Sequence, residues 1–252
     1  MHQPEILNEK IRKTMVKAIS RYTMIEDGDR ILLAVSGGKD STIMALMFRD
    51  IAIKSPVSFT YEAVILDQKQ PGFNIETYQD WMLQQGVPLT IITEDTYSIV
   101  KEKVPVGKTT CGLCSRLRRG ILYNYAHEHG FDKIALGHHR DDLNETLLLN
   151  IFYTGQLGSM PPKLISDDKR NTVIRPLCEV SEKDLTDLSL SLNIPVIPCN
   201  LCGSQENLKR KKIKNLLKTL EADHPELQSS MIKAQRNIKA SQLSDLNFLS
   251  FD

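Results

Sequence analysis

The stretch Ile31-Leu32-Leu33-Ala34-Val35-Ser36-Gly37-Gly38-Lys39-Asp40-Ser41-Thr42 decides how the rest of the chain is read. An apolar, partly β-branched run stops at Ser-Gly-Gly, and from Asp40 to Lys54 apolar side chains recur at helical spacing, at Ile43, Met44, Met47 and Ile51. The pattern predicts a strand, a tight turn and a helix. Gly37 and Gly38 let the backbone approach a ligand closely or take positive φ, and the first amides of the helix point at whatever anion lies in the turn. Such a turn suits phosphate. It lacks the Walker spacing, which places four residues between the first glycine and the Gly-Lys pair, because Gly37 is followed at once by Gly38 and Lys39. The competing reading is an ordinary glycine-rich turn whose Asp40 or Ser41 merely caps the helix.

On the amino-terminal side, residues 7–22 carry Leu7, Ile11, Met15 and Ile19 on one stripe, an amphipathic helix. Downstream, a strand over 59–66 runs into the polar loop 67–73, followed by a helix over 75–85 and a strand over 89–93. The polar stretch 101–120, which holds Cys111-Gly112-Leu113-Cys114, opens a helix over 117–129. A fourth strand, 133–137, ends in His138-His139-Arg140-Asp141-Asp142 and leads to an apolar helix over 143–153, which Gly155 to Pro162 breaks. A fifth strand over 171–176 and a helix from Ser181 to Leu192 complete the alternation. A second cysteine pair, Cys199 and Cys202, precedes a basic helix over 207–220 and a final helix carrying Leu227, Met231, Ala234 and Ile238.

This order predicts an α/β fold with a doubly wound, mostly parallel sheet of five strands and helical additions at both ends. The expected organisation is an extension over 1–29, a catalytic body over 30–205 and a basic segment over 206–252, with no repeat and no linker between them. In such sheets ligands gather beyond the carboxyl ends of the strands. Ser36 to Ser41, Asp67 and Gly137 to Asp142 all fall there.

The residues Met1-His2-Gln3-Pro4-Glu5 do not start a signal segment, and no apolar run approaches the ~20 residues of a membrane span. A cytoplasmic protein without membrane contact is therefore expected. In that reducing compartment, four cysteines in two Cys-x-x-Cys pairs are expected to bind metal or do chemistry rather than form disulfides. The 84 residues between Cys114 and Cys199 are unlike a local zinc ribbon, and both zinc and an iron–sulfur cluster stay open. Cys178 reads as a small core residue. A net charge of +1 does not advertise nucleic acid, yet Arg116, Arg118 and Arg119 form one basic cluster and Lys209-Arg210-Lys211-Lys212, with Lys214 and Lys218, another. Such a run is either a solvated helix face or a track for an RNA backbone.

Ser36 to Ser41 looks like the PP-loop of the nucleotide α-hydrolases, which split ATP between its α and β phosphates. In that family the loop amides and the Ser36 and Ser41 hydroxyls would hold the departing pyrophosphate, with Lys39 adding charge. More narrowly, the run from Gly107 to Gly120, together with Leu66–Phe73, Lys133–Asp142, Met160–Leu164, Ile174–Leu177 and Ile197–Gln205, resembles the ATP-dependent tRNA 2-thiocytidine synthetases. The resemblance covers most of the chain between the first helix and the basic helix.

It implies ATP as cosubstrate, tRNA as partner and a 4Fe-4S cluster held by Cys111, Cys114 and Cys202, one iron staying open for sulfur. Gly203 and Ser204 offer backbone amides beside Cys202, whereas Cys199 follows Pro198, which has none; Cys202 is the favoured ligand on both counts. Asp40 and Asp142 are the candidates to hold Mg2+ and act in catalysis with Cys202, while Gly137, His138 and Asp67 would line the nucleotide site. The two basic clusters would track the tRNA. The expected reaction is attack of O2 of cytidine 32 on the α-phosphate, then displacement of AMP by sulfur from a cysteine desulfurase or another donor, with a homodimer as the candidate assembly. Three readings compete. A 2-thiouridine synthetase would need further cysteine pairs, a lysidine synthetase or amidotransferase-type ligase would not need these, and a zinc-stabilised RNA-binding module would leave ATP unconsumed.

Overall fold

The computed structural model describes residues 3–105, 110–197 and 205–244, with the backbone alone at 3, 111 and 205–208. At its centre lies β1 (Arg30–Val35), parallel to β2 (Thr60–Asp67) on one side and to β4 (Lys133–Leu136) on the other. A continuous apolar run suits that place, because a parallel strand between two layers of helices has no solvent face. Its residues alternate between two cores. Ile31, Leu33 and Val35 join Ile11 and Met15 of α1 (Gln3–Arg21), Met44, Met47 and Phe48 of α2 (Lys39–Ala52), and Leu185 and Leu188 further along the chain. Leu32 and Ala34 face Val64, Ile134, Leu122, Ala126 and Phe131 on the opposite side.

The remaining elements are α3 (Ile75–Gln84), β3 (Leu89–Thr93), α4 (Thr96–Lys103), α5 (Cys111–Glu128), α6 (Arg140–Thr154), β5 (Lys163–Ile165), β6 (Thr172–Ile174), α7 (Glu182–Ser191), α8 (Gln205–Asp223) and α9 (Leu227–Ala234). The strand order is β3-β2-β1-β4-β6-β5. The chain moves outward one way from β1 through β2 to β3, and then crosses to β4 on the other side. This makes the gap beyond the carboxyl ends of β1 and β4 the topological switch point, where doubly wound folds bind ligands. Among the described residues no helix is long and apolar enough to cross a membrane.

The doubly wound, mostly parallel sheet is as expected, but it has six strands rather than five. The additional strand, β5, lies antiparallel on β6, with Lys163 opposite Ile174. Three residues after Pro161-Pro162 carry too little alternation to be read as a strand; long-range pairing makes them one. Two helices also start earlier than the sequence suggests. α5 begins at Cys111 in spite of Gly112, whose cost of about 1 kcal/mol in a helix is small against the packing of Leu122 and Ala126. α6 begins at Arg140 because His139 caps it, and α4, capped by Asp95, was hidden in a polar stretch. Cys178 is a core residue as expected, and burial pushes its thiol up to about 12.

Candidate functional site

The turn after β1 is held mainly by its own backbone and two hydroxyls. Gly37 has φ +77, and a Cβ there would lie 2.8 Å from Cδ1 of Ile197, whose amide donates to the Gly37 carbonyl at 2.9 Å. Among the described residues no side chain caps α2, which leaves its first amides to a ligand in the turn. Ser41 Oγ donates to the Gly38 carbonyl at 3.1 Å and accepts from the Ser36 amide at 3.0 Å. Since the Ser41 proton is spent there, Ser36 Oγ is the donor in the 2.9 Å contact between the two hydroxyls, and it accepts from the Gly38 amide. An incoming phosphate oxygen can take the Ser41 proton at the expense of one internal bond. From the far side, Thr42 Oγ1 donates to the Gly38 carbonyl at 2.9 Å, so the buried Tyr78 hydroxyl donates to Thr42, at 2.5 Å.

β4 closes the turn from the neighbouring strand. A Cβ on Gly137 would stand 2.9 Å from both the amide nitrogen and Cα of Ser41, so only glycine fits between the strand end and the helix start. A cavity of about 340 Å³ opens there, lined by Ser36, Gly38, Asp40 and Ser41 of the turn, by Gly137, His138 and Asp142, and by Arg118, Arg119 and Tyr123 of α5. Its size and mix of polar and apolar walls suit a nucleotide. A larger cavity of about 640 Å³ lies against α9, lined mostly by apolar groups such as Leu147, Met160 and Ile232, and holds none of these residues.

Besides Arg118, Arg119 and Tyr123, the titratable groups of the cavity wall are His138, Asp40 and Asp142. His138 is held neutral: burial lowers it to about 4, against the pull of Asp142. Asp40 and Asp142 approach Nε2 of the buried His139 from two elements, at 3.9 and 3.4 Å. Asp142 also accepts the His139 amide while the His139 ring accepts the Asp142 amide, a reciprocal cap on α6. Both acids line the one cavity, and carboxylate oxygens are the donors a magnesium ion takes beside phosphates.

The other expected site residues are divided between this cavity and its surroundings. Asp67 ends β2 at the same sheet edge, but it binds the amide and ammonium of Lys69 and does not line the cavity. Lys39 Nζ lies 2.7 Å from Asp40 and 3.9 Å from Glu182. Arg118 and Arg119 line the cavity, with Arg118 Nη2 donating to the Val35 carbonyl, whereas Arg116 is exposed and binds the Gly112 carbonyl of its own helix. Cys114 donates to Gln68 Oε1 at 3.1 Å; Cys111 is the first residue of the same helix, and Cys199 and Cys202 lie outside the described residues.

The basic block of α8 is divided. All four residues from Lys209 to Lys212 are exposed, and Arg210 leans on α6, with Nε 3.5 Å from Glu145 and Nη1 3.9 Å from Asp142. Glu145 lies one turn after Asp142 and outside the motifs named above. It is 4% exposed, and burial raises its carboxyl to about 7, an effect Arg210 only partly offsets. Lys214 pairs with Glu182 at 2.6 Å, which ties α8 to α7 as well.

Comparison with known proteins agrees with this architecture. The PP-loop domain family matches residues 6–196. The chain is 53% identical to the tRNA-cytidine(32) 2-sulfurtransferase of Bdellovibrio bacteriovorus over 96% of its own length and 93% of the relative's, and 54% identical to that of Marinobacter nauticus over 97% and 81%. Among solved structures it is similar to the U34-tRNA thiolase NcsA from Methanococcus maripaludis with its 4Fe-4S cluster, with a TM-score of 0.72, 20% identity and coverage of 93% and 79%; at that identity the likeness concerns the fold. A PP-loop turn facing Asp142 and His138 across one cavity, in a chain half identical to these relatives along nearly its whole length, makes it a member of the tRNA-cytidine(32) 2-sulfurtransferase family, a family of transferase enzymes.

Proposed function

We propose that this chain replaces O2 of cytidine 32 in a tRNA anticodon loop by sulfur, consuming ATP and releasing AMP and pyrophosphate. The observation that carries the reading is the cavity at the β1/β4 switch point, where the Ser36–Ser41 turn, Asp142 and the arginines of α5 converge. A carbonyl oxygen is a poor leaving group and must first be activated. Attack of O2 on the α-phosphorus forms one P–O bond and breaks the bond to the β-phosphate oxygen, and the growing charge on pyrophosphate falls on the α2 amides, Ser36, Ser41 and Lys39. Arg118 and Arg119 add positive charge at the opposite wall. Formation of the C–S bond then expels AMP. Asp40 and Asp142 are the residues that would hold Mg2+, which screens the phosphates. Because His138 is neutral at working pH, it can hydrogen-bond base or ribose without adding charge. The base must leave its stack to reach the phosphorus. A cytoplasmic setting follows from a tRNA substrate.

Cys111, Cys114 and Cys202 are the thiols that would hold the 4Fe-4S cluster, which when bound supplies the sulfur-transfer chemistry; a cysteine desulfurase or another donor would feed it. Cys114, the one of the three whose side chain is described, fits that part, because its neighbour Gln68 is an amide able to turn a nitrogen toward a thiolate. In separate Cys111→Ser, Cys114→Ser, Cys199→Ser and Cys202→Ser proteins reconstituted anaerobically, iron content and visible absorbance are expected to survive only in Cys199→Ser. Survival in Cys202→Ser with loss in Cys199→Ser would reverse the ligand choice.

The reading as a whole is tested by incubating the reconstituted protein with ATP, a sulfide source and tRNA, then separating the nucleotides and analysing the tRNA nucleosides by mass spectrometry. AMP and pyrophosphate in step with 2-thiocytidine are expected, and little turnover without tRNA. ADP and phosphate as products would sink the assignment.

A further inference from the structure

The carboxyl-terminal end of α6 carries a surface that the chemistry above does not use. From Thr146 to Pro162 the chain has no charged residue, yet residues 151–157 are all exposed. Three of them are large and consecutive: Ile151, Phe152 and Tyr153, at 39, 55 and 45% exposure. Exposed aromatic groups side by side on a helix are costly to leave in water and call for a partner. The neighbourhood indicates which kind. Thr146 and Tyr153, two turns apart on α6, meet Arg210 and Lys209 of α8; the Lys209 ammonium sits 4.7 Å from the Tyr153 ring, and Arg210, Lys211 and Lys212 continue the exposed cations along α8. Aromatic rings bordered by cations, with no acid from Asn207 to Leu220, match the faces and phosphates of unpaired nucleotides better than they match an apolar protein surface.

The same helix links this surface to the reaction. α6 begins beside the cavity at Asp142 and reaches Tyr153 eleven residues later, about 16 Å away at 1.5 Å per residue. A base drawn into the cavity leaves its neighbours in the loop with uncovered faces. We infer that Phe152 and Tyr153, with Lys209 beside them, form a stacking platform for unpaired nucleotides of the RNA that delivers the target base to the cavity. The inference rests on the substrate being a tRNA.

The test uses the full chain and a labelled tRNA, with affinity measured by fluorescence anisotropy over a range of salt, alongside a fully paired RNA hairpin. Phe152→Ala and Tyr153→Ala are each expected to weaken tRNA binding about tenfold while leaving the salt slope and the hairpin affinity unchanged, because stacking releases no counterions. Lys209, Lys211 and Lys212 changed together to Ala should instead lower the log-log slope by roughly one unit per lost phosphate contact. Phe152→Trp should retain affinity and show emission quenched by tRNA beyond the background of Trp81, the chain's single tryptophan. Unchanged affinity in both alanine variants overturns the platform. So does a wild-type dimer that sedimentation shows falling to monomers in those variants, since the face would then lie between copies. A wild-type protein that binds ATP but no tRNA removes the RNA substrate itself, and the platform with it.

Discussion

The turn after β1 and the junction between α6 and α8 border the same cavity, and they are built in opposite ways. In the turn, position is set by backbone: a left-handed Gly37, a Gly137 with no room for a Cβ, and a closed set of hydrogen bonds among Ser36, Gly38, Ser41 and Thr42. At the junction, position is set by charge between elements far apart in sequence, Arg210 against Asp142 and Glu145, while Lys214 ties α8 to Glu182 of α7 in the same way. Backbone constraint gives a rigid receptor for phosphate. Ion pairs across two helices give a contact that can be exchanged, since an RNA phosphate offers Arg210 the same interaction that Asp142 offers it.

The turn has the least room to adjust at Gly137. Gly137→Ala places a methyl group 2.9 Å from the backbone of Ser41, and neither neighbour is a flexible side-chain end. We expect at least a tenfold loss of ATP affinity by calorimetric titration, and destabilisation of about 1–3 kcal/mol in melting experiments, the usual cost of overpacking. ATP affinity equal to the wild type would mean that the turn moves and that backbone does not fix it.

A smaller effect sharpens the charge side. Glu145 titrates near 7 in the folded protein against an ordinary 4.5, so the folded state holds more protons between those values. Its contribution to stability is full below about 4.5 and is lost as pH rises through about 7. Glu145→Gln removes this dependence. The stability of the variant relative to wild type should therefore rise across that window, by on the order of 2 kcal/mol. His138 runs the other way, its contribution present above 6.5 and lost as pH falls toward 4, but it is common to both proteins and drops out of the difference. A difference that stays flat from pH 4.5 to 7 would show that Glu145 is ionised throughout and that Arg210 outweighs burial.

The two regions also differ in how far the sequence discloses them. Ser36 to Ser41 can be read because strand, turn and helix are contiguous and every constraint on them is local; Gly137 and His138 follow from the rule that strand ends gather ligands. Arg210 could not be placed that way. It is 65 residues from Glu145, and nothing in a run of four basic residues says which one pairs with the acids of α6. The same limit hid β5, which is a strand only because β6 is beside it, and the place of Arg118 and Arg119 in the wall of the cavity, since the start of α5 depends on how that helix packs on β1 and β4. Glu145 had a legible signal in its spacing from Asp142, but burial, which gives it its pKa, is a property of the assembled fold.

The smallest expected effect asks whether side chains behind the turn share in holding it. Tyr78 donates to Thr42, and Thr42 donates to the Gly38 carbonyl, so the chain of bonds has a direction. Tyr78→Phe removes the first donor and leaves Thr42 still bonded to Gly38, a loss of about 1 kcal/mol, the net worth of one hydrogen bond. Thr42→Val does more: the Gly38 carbonyl loses a donor, and the Tyr78 hydroxyl, 1% exposed, is left buried without a partner, which costs about 1–3 kcal/mol. Chemical denaturation of the two variants should therefore rank Thr42→Val below Tyr78→Phe, with ATP affinity nearly unchanged in Tyr78→Phe. If Tyr78→Phe instead loses ATP binding to the extent of Gly137→Ala, the turn is held from behind by a side chain, and the contrast with the α6–α8 junction is one of degree.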